Sequence, residues 1–315
     1  MEMYVGCDSD TVETVHHHSL LLLADDALSV KDTAGLSADH STTTYRGEDK
    51  RGSLFAVRVW REKCSELETR KRFMKRLERE LLVWHNLQHA NLAPLHGLTF
   101  TYGKWPASVT PYYRNGNINE YLAKHSKKDV LRLLCGVAKG LSHLHSREPP
   151  VAHGDVRGCN IFIDDDGSPV LTNIGTNHLP IPPNWIIASD DGTRWMAPEI
   201  MLSDVTISPM VAYEDSRLQV TPASDVYSFG MTILEVYTGR VPYAHKRFYG
   251  GVIHDVVNGI RPPRPDSGSS PCLTDEIWEV ITSCWEQDPC RRPTIDAVLR
   301  RLRILHKTSL LKPSL

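Results

Sequence analysis

No stretch of this sequence is apolar for long enough to cross a bilayer, and the run Leu20 to Leu23 is far too short for a span. A basic segment followed by an apolar core is also missing near the start, so no secretory signal is expected. No two cysteines are spaced CxxC and their total, 7, is odd. That argues against a disulfide framework and fits reduced thiols in a cytoplasmic or nuclear protein. Charge of one sign is lacking too: a net charge of -2 gives no electrostatic case for nucleic acid as the main partner. Internal repeats are absent, which excludes a solenoid. What is present is an ordinary globular mixture, 41% hydrophobic and 23% charged over 315 residues. That length fits one large or two modest domains with ample core.

Residues 1–27 are polar and irregular in pattern. Their one feature is His16-His17-His18, which reads as a metal-binding run or, preferably, a solvated tail. Periodic structure is expected from Leu28 onward. Ser53 to Trp60 reads as a strand rich in β-branched and aromatic residues, with Arg58 as its cation. Phe73, Leu77, Leu81 and Trp84 predict a helix over 66–87, with Glu80 along its apolar side. Arg and Lys are rarely buried without a partner, and Glu80 offers one. Equally, Arg58 reads as a surface cation and Glu80 as a rim charge. Val130, Leu133, Leu134, Val137, Leu141 and Leu144 recur at helical spacing and stop before Pro149-Pro150. They predict a buried helix on which His143 and His145 are structural.

The most informative stretch runs from Val151 to Asn173. His153-Gly154-Asp155-Val156-Arg157-Gly158-Cys159-Asn160 precedes two short apolar strands joined by Asp164-Asp165-Asp166-Gly167. An Asp two residues after a His, with an Asn five further on, resembles the catalytic loop of the protein kinases. Further segments resemble that family in the right order. Phe55-Ala56-Val57-Arg58 is similar to its V-A-I-K strand, Glu80 to the helix acid that pairs with the Lys, and His89-Ala90-Asn91 to its HPN segment. Thr110-Pro111-Tyr112-Tyr113 resembles the gatekeeper and hinge, Met196-Ala197-Pro198-Glu199 the A-P-E, and Ser224-Asp225-Val226-Tyr227-Ser228-Phe229-Gly230 the start of the central helix. Cys284-Trp285 through Arg292-Pro293 matches the late CW…RP pattern. The details lean toward the tyrosine-kinase-like group.

The resemblance implies an α+β, bilobal protein-kinase-like fold, with a small β-rich N-lobe carrying one helix and a larger, mainly helical C-lobe. The expected layout is a tail over 1–27, an N-lobe over 28–110, a hinge over 111–116, a C-lobe over 117–307 and a tail over 308–315. It also implies site roles. Asp155 would be the catalytic base, assisted by Arg157 and Asn160. Arg58, Glu80, Ala56, Thr110, Pro111, Tyr113 and Phe162 would line an ATP site, with the carbonyl of Pro111 serving the hinge. Asn160 and Asn173 would face Mg²⁺, and Glu199 would pair with Arg292.

Several of these positions depart from the family. Ser37, Asp39 and Thr42 stand where its phosphate-covering glycines belong, and an Asp there repels a nucleotide; Gly35 alone does not repair the loop. Arg58 replaces the phosphate-gripping Lys with a planar fork on a longer stem. Asn173-Ile174-Gly175 replaces D-F-G, so a neutral amide stands where Mg²⁺ expects a carboxylate. Phe162 narrows the adenine pocket. Gly154 removes the Arg that would receive a phosphorylated activation loop, although Ser189 and Thr193 remain. Gly192-Thr193-Arg194-Trp195 is one residue shorter than the family's spacing before A-P-E.

Each lost transition-state contact typically costs about 10²–10³ in rate, so two losses bring a kinase to about 10⁻² s⁻¹ or below. The expectation is therefore a pseudokinase, a regulatory or scaffolding module for a protein partner. The alternatives are a slow Ser/Thr or Tyr kinase using Asp155 as base, and a nucleotide-responsive switch without catalysis. ATP and Mg²⁺ enter as cofactors that the altered residues argue against.

Overall fold

The computed structural model describes residues 22–23, 27–30, 37–38, 42–60, 67–102, 106–125, 129–176, 192–206, 220–266, 268, 270 and 272–311, with 30, 37–38, 67–73 and 203–206 described by backbone alone. His16, His17, His18, Gly35, Asp39 and Ser189 lie outside the described residues, as do the side chains of Ser37 and Phe73. Two compact units emerge. One joins Met1–Leu87 to Pro94–Tyr112; the other joins Gln88–Ala93 to Tyr113–Leu315. The expected hinge is thus divided between Tyr112 and Tyr113.

The first unit is built on a six-stranded sheet: β1 (Ser29–Val30), β2 (Ser37–Ala38), β3 (Thr42–Glu48), β4 (Leu54–Trp60), β5 (Gly97–Thr99) and β6 (Ala107–Pro111). The order is β1-β3-β4-β6-β5, with β2 also paired to β3. Asp49 Oδ1 closes the β3–β4 turn by accepting from the backbone N–H of Arg51 and Ser53, each at 2.8 Å. Alternation along β4 sends Phe55, Val57 and Val59 into a core with Ala107, Val109, Leu23 and Leu28. The opposite face carries Ala56 and Arg58. Ordered pairing starts before the expected boundary, because Leu22 bridges Leu98 and the Leu23 N–H donates to the Leu98 carbonyl at 2.8 Å.

The helix α1 (Leu67–His85) forms where the spacing of Leu77, Leu81 and Trp84 requires it, and each of these side chains is fully buried. Met74 is buried one residue after the expected Phe73.

The second unit is mainly helical: α2 (Ile118–Lys124), α3 (Val130–His145), α4 (Pro198–Thr206), α5 (Pro222–Thr238), α6 (Tyr249–Val257), α7 (Asp275–Cys284) and α8 (Ile295–Leu311). The last helix continues past the expected end at 307. A hairpin of β7 (Ile161–Ile163) and β8 (Pro169–Leu171) interrupts the helices. Asp164 fixes its turn, because Oδ1 accepts from the backbone N–H of Asp166 and Ser168 at 3.1 and 2.7 Å. The α5 helix is buried on every face from Ser224 to Tyr237, which makes it a core helix. A reciprocal Thr221–Ser224 cap and Pro222 at its first turn start it, as chain chemistry favours. It packs against α3 and α7, while α3 also packs against α8 and β8. A β-rich unit and a helical unit make the chain α+β. Among the described residues no helix is long and apolar enough to cross a membrane.

Candidate functional site

In the sheet unit, Ala56 lies opposite Thr110 and Arg58 opposite Ser108, so these residues share one face of the β4–β6 pair. Phe55 lies opposite Pro111 at the strand end. Arg58 Nε donates to Thr42 Oγ1 at 2.9 Å, which brings the strand cation to one of the positions lacking glycine. The expected Arg58–Glu80 pairing is not formed. Glu80 Oε1 instead accepts from Arg79 Nη2 at 3.1 Å, with the Glu80 side chain about a quarter exposed. The reason is local: a guanidinium on the same helix lies at hand, and a partly exposed acid needs no distant partner.

In the helical unit, buried acids hold the 153–160 loop by its backbone. Asp225 is fully buried near the start of α5 and accepts from the N–H groups of His153 and Gly154, each at 2.7 Å, and from His145 Nε2 at 2.9 Å. Burial opposes its charge, but the His145 bond and the backbone donors outweigh it and bring its pKa below the ordinary value. Glu235, on the same helix, accepts from Gly158 N–H and Trp195 Nε1 at 2.9 Å each and from Asn119 Nδ2 at 2.6 Å. Burial pushes its pKa up against those bonds. Gly158 is required at this crossing, because a Cβ there would meet Glu235 Oε1 at 2.7 Å and the Asn119 amide closer still. Thr232 Oγ1 adds a bond to the Val156 carbonyl at 2.8 Å. Sequence reasoning did not single out Glu235, Asn119 or Thr232. The available signal was an acid and a threonine inside an otherwise apolar core helix, both of which require partners.

Within the loop, His153 is fully buried and its Nδ1 accepts the Asp155 N–H at 3.1 Å. Burial drives the imidazole pKa down, so the ring is neutral with its proton on Nε2. Asp155 is buried. Arg157 Nε lies 2.9 Å from one of its carboxylate oxygens and 3.0 Å from the other, and the guanidinium stands 5.9 Å from the Trp195 ring centre. Asn160 Nδ2 donates to the Asp155 carbonyl at 3.0 Å and also to its carboxylate. Asn173 Nδ2 donates in turn to Asn160 Oδ1 at 2.9 Å.

The structure therefore brings Asp155, Arg157, Asn160 and Asn173 together. Asn160 and Asn173 meet as donor and acceptor, however, and not as two ligands. A hard divalent cation needs oxygens converging on it, preferably anionic ones. Here the Asn160 oxygen is taken by an N–H, and the amide that faces it is neutral. This donor set does not fit Mg²⁺.

Phe162 and Tyr113 lie beside each other, ring centres 6.0 Å apart and tilted by 33°. Backbone bonds fix the pair, since Ile163 N–H donates to the Gly116 carbonyl at 3.0 Å and Asn117 bridges Phe162. Burial, and then the charge of Asp164, raises the Tyr113 phenol pKa. The A-P-E acid forms the expected bidentate pair: Arg292 Nη1 and Nη2 reach Glu199 Oε1 and Oε2 at 2.7 and 2.8 Å. Just before it, Arg194 is buried and donates to the carbonyls of Pro242, Tyr243 and Lys246 at 3.2, 2.8 and 3.0 Å.

Residues 36–302 match the sequence model of a family described as protein tyrosine and serine/threonine kinase. The chain is 26% identical over 275 residues to the probable serine/threonine-protein kinase roco5 of Dictyostelium discoideum, covering 83% of this chain and 9% of that protein. It is 27% identical over 230 residues to mitogen-activated protein kinase kinase kinase 5 of Arabidopsis thaliana, covering 72% of this chain and 30% of that one. With the serine/threonine-protein kinase CTR1 of Arabidopsis thaliana it shares 26% identity over 294 residues, 91% of this chain and 32% of the relative. The chain spans well under half the length of these curated relatives.

Proposed function

The chain belongs to the protein tyrosine and serine/threonine kinase family, and we propose that within it the chain acts as a pseudokinase, a module that regulates or scaffolds a protein partner with phosphotransfer weak or absent. The observation that carries this reading is the bond from Asn173 Nδ2 to Asn160 Oδ1, which closes two neutral amides on each other where the family places a metal-binding carboxylate. Arg58 bonded to Thr42 points the same way, because a guanidinium engaged by a hydroxyl replaces the compact ammonium of the family's strand. The reading places the protein in a reducing compartment, cytoplasmic or nuclear, consistent with free thiols at Cys135, Cys272, Cys284 and Cys290.

The test is phosphate transfer from Mg²⁺-ATP to a generic protein substrate by the purified chain. The expected result is no incorporation that depends on Asp155. Incorporation abolished by Asp155→Asn would overturn the reading. A melting experiment adds resolution: ATP at ten times its dissociation constant would stabilise the fold by about 1.4 kcal/mol, a shift of a few degrees. Absence of any shift at millimolar ATP leaves a module that works without nucleotide, and a shift without transfer makes it a nucleotide-responsive switch.

A second reading is a slow kinase, and the retained Asp155–Asn160 contacts within one loop favour it. Its relatives' names would make serine or threonine the acceptor. On that reading Arg58→Lys with Asn173→Asp raises a measurable basal rate. A parent with no basal rate excludes it.

A further inference from the structure

We propose that the Asn173 amide does in this chain the structural work of a bound divalent cation, tying the turn after β8 to the catalytic loop so that the loop is ordered without metal. The inference deepens the pseudokinase reading and rests on it.

The orientation of the amides follows from the groups around them. The Asp155 carbonyl and carboxylate can only accept, so Asn160 must present its Nδ2 to them. That turns Asn160 Oδ1 the other way, toward Asn173. A lone acceptor buried there requires a donor, and Asn173 Nδ2 supplies it at 2.9 Å. The backbone already links the two segments, because Thr172 N–H and Oγ1 both reach the Asn160 carbonyl, at 2.9 and 3.1 Å. Asn173 itself sits at φ 64, in the left-handed region that Asn tolerates better than most residues. Its carbonyl is held by Thr176 Oγ1 at 3.0 Å. The side chain is thus aimed by its own backbone and by the acceptor it meets.

A carboxylate of the same shape at 173 would set an oxygen against Asn160 Oδ1. Two acceptors would then face each other with no proton between them, and a cation is the group that satisfies both. The chain therefore holds a latent metal site that a single N–H keeps shut.

The test is thermal melting of the full chain in EDTA and in millimolar Mg²⁺ or Mn²⁺. Wild type should melt at the same temperature in both. Asn173→Asp should melt about 4 °C lower in EDTA and recover with metal. Asn173→Gly, which keeps the left-handed backbone without a side chain, should melt lower in both conditions and ignore metal. A saturable rise of the wild type with Mg²⁺, or Asn173→Asp melting like wild type in EDTA, overturns the proposal. Should Asn173→Asp fail to fold, hydrogen exchange at the wild-type Thr172 amide decides. Protection equal with and without metal supports the bridge, and protection that needs metal overturns it. Metal-sensitive melting without phosphotransfer defeats the bridge alone, whereas Asp155-dependent phosphotransfer defeats the pseudokinase reading.

Discussion

Asp225 and Asn173 both bear on the 153–160 loop, and they do so with opposite chemistry. Asp225 is an acid whose oxygens collect the backbone N–H groups of His153 and Gly154 and the ring of His145. Asn173 is an amide that gives a hydrogen to Asn160. Carboxylates collect the loop's N–H groups from α5, and a neutral amide meets it from the turn after β8. Glu235 falls on the carboxylate side of that division. The 153–160 loop is thus held by acids of the core helix on one side and by a neutral amide on the other.

Asp225→Ala leaves buried N–H groups without an acceptor and is expected to cost about 4 kcal/mol in urea unfolding. Asn173→Gly loses a single neutral bond and is expected to cost about 1 kcal/mol. Equal costs would erase the distinction between acid and amide. Between these two in size is Gly158→Ala, whose methyl must displace the Glu235 and Asn119 side chains and is expected to cost about 2 kcal/mol by the same measurement.

The finest distinction lies in pH. Burial holds the Glu235 pKa above its usual 4.5, so the folded chain binds that proton more tightly than the unfolded one. The associated stability is fully present below pH 4.5 and is lost as pH rises through the folded value. Glu235→Gln removes this contribution. The stability of wild type relative to Glu235→Gln should therefore decline as pH rises above 4.5, with His153 and Asp225 common to both proteins. A difference independent of pH would mean that Glu235 carries no burial penalty.

Much of this could be read from the chain before its structure. The hairpin at β7–β8 follows from its Asp-Gly turn, and α1 and α3 follow from apolar residues three and four apart. The Glu199–Arg292 pair was also legible, through the resemblance, across a separation of 93 residues. What was not legible depends on which of several nearby groups a polar side chain selects. Glu80 took Arg79 because the nearer cation costs less side-chain order than a reach to β4. Asn173 was recognisable as a poor metal ligand beside the retained Asn160, but their mutual bond requires knowing that the Asp155 oxygens turn Asn160 around. Glu235 went unnoticed because a helix this apolar reads as core, and one acid does not disturb its pattern.

Arg194 carries one practical consequence. By sequence it is a cleavage point for trypsin, yet its guanidinium is locked onto the Pro242, Tyr243 and Lys246 carbonyls and its backbone is wound into a tight turn. A protease cannot thread that bond until those carbonyls let go. The rate at which the 194–195 bond is nicked in dilute trypsin is thus a clock for opening of the helical unit, readable on a gel without any label.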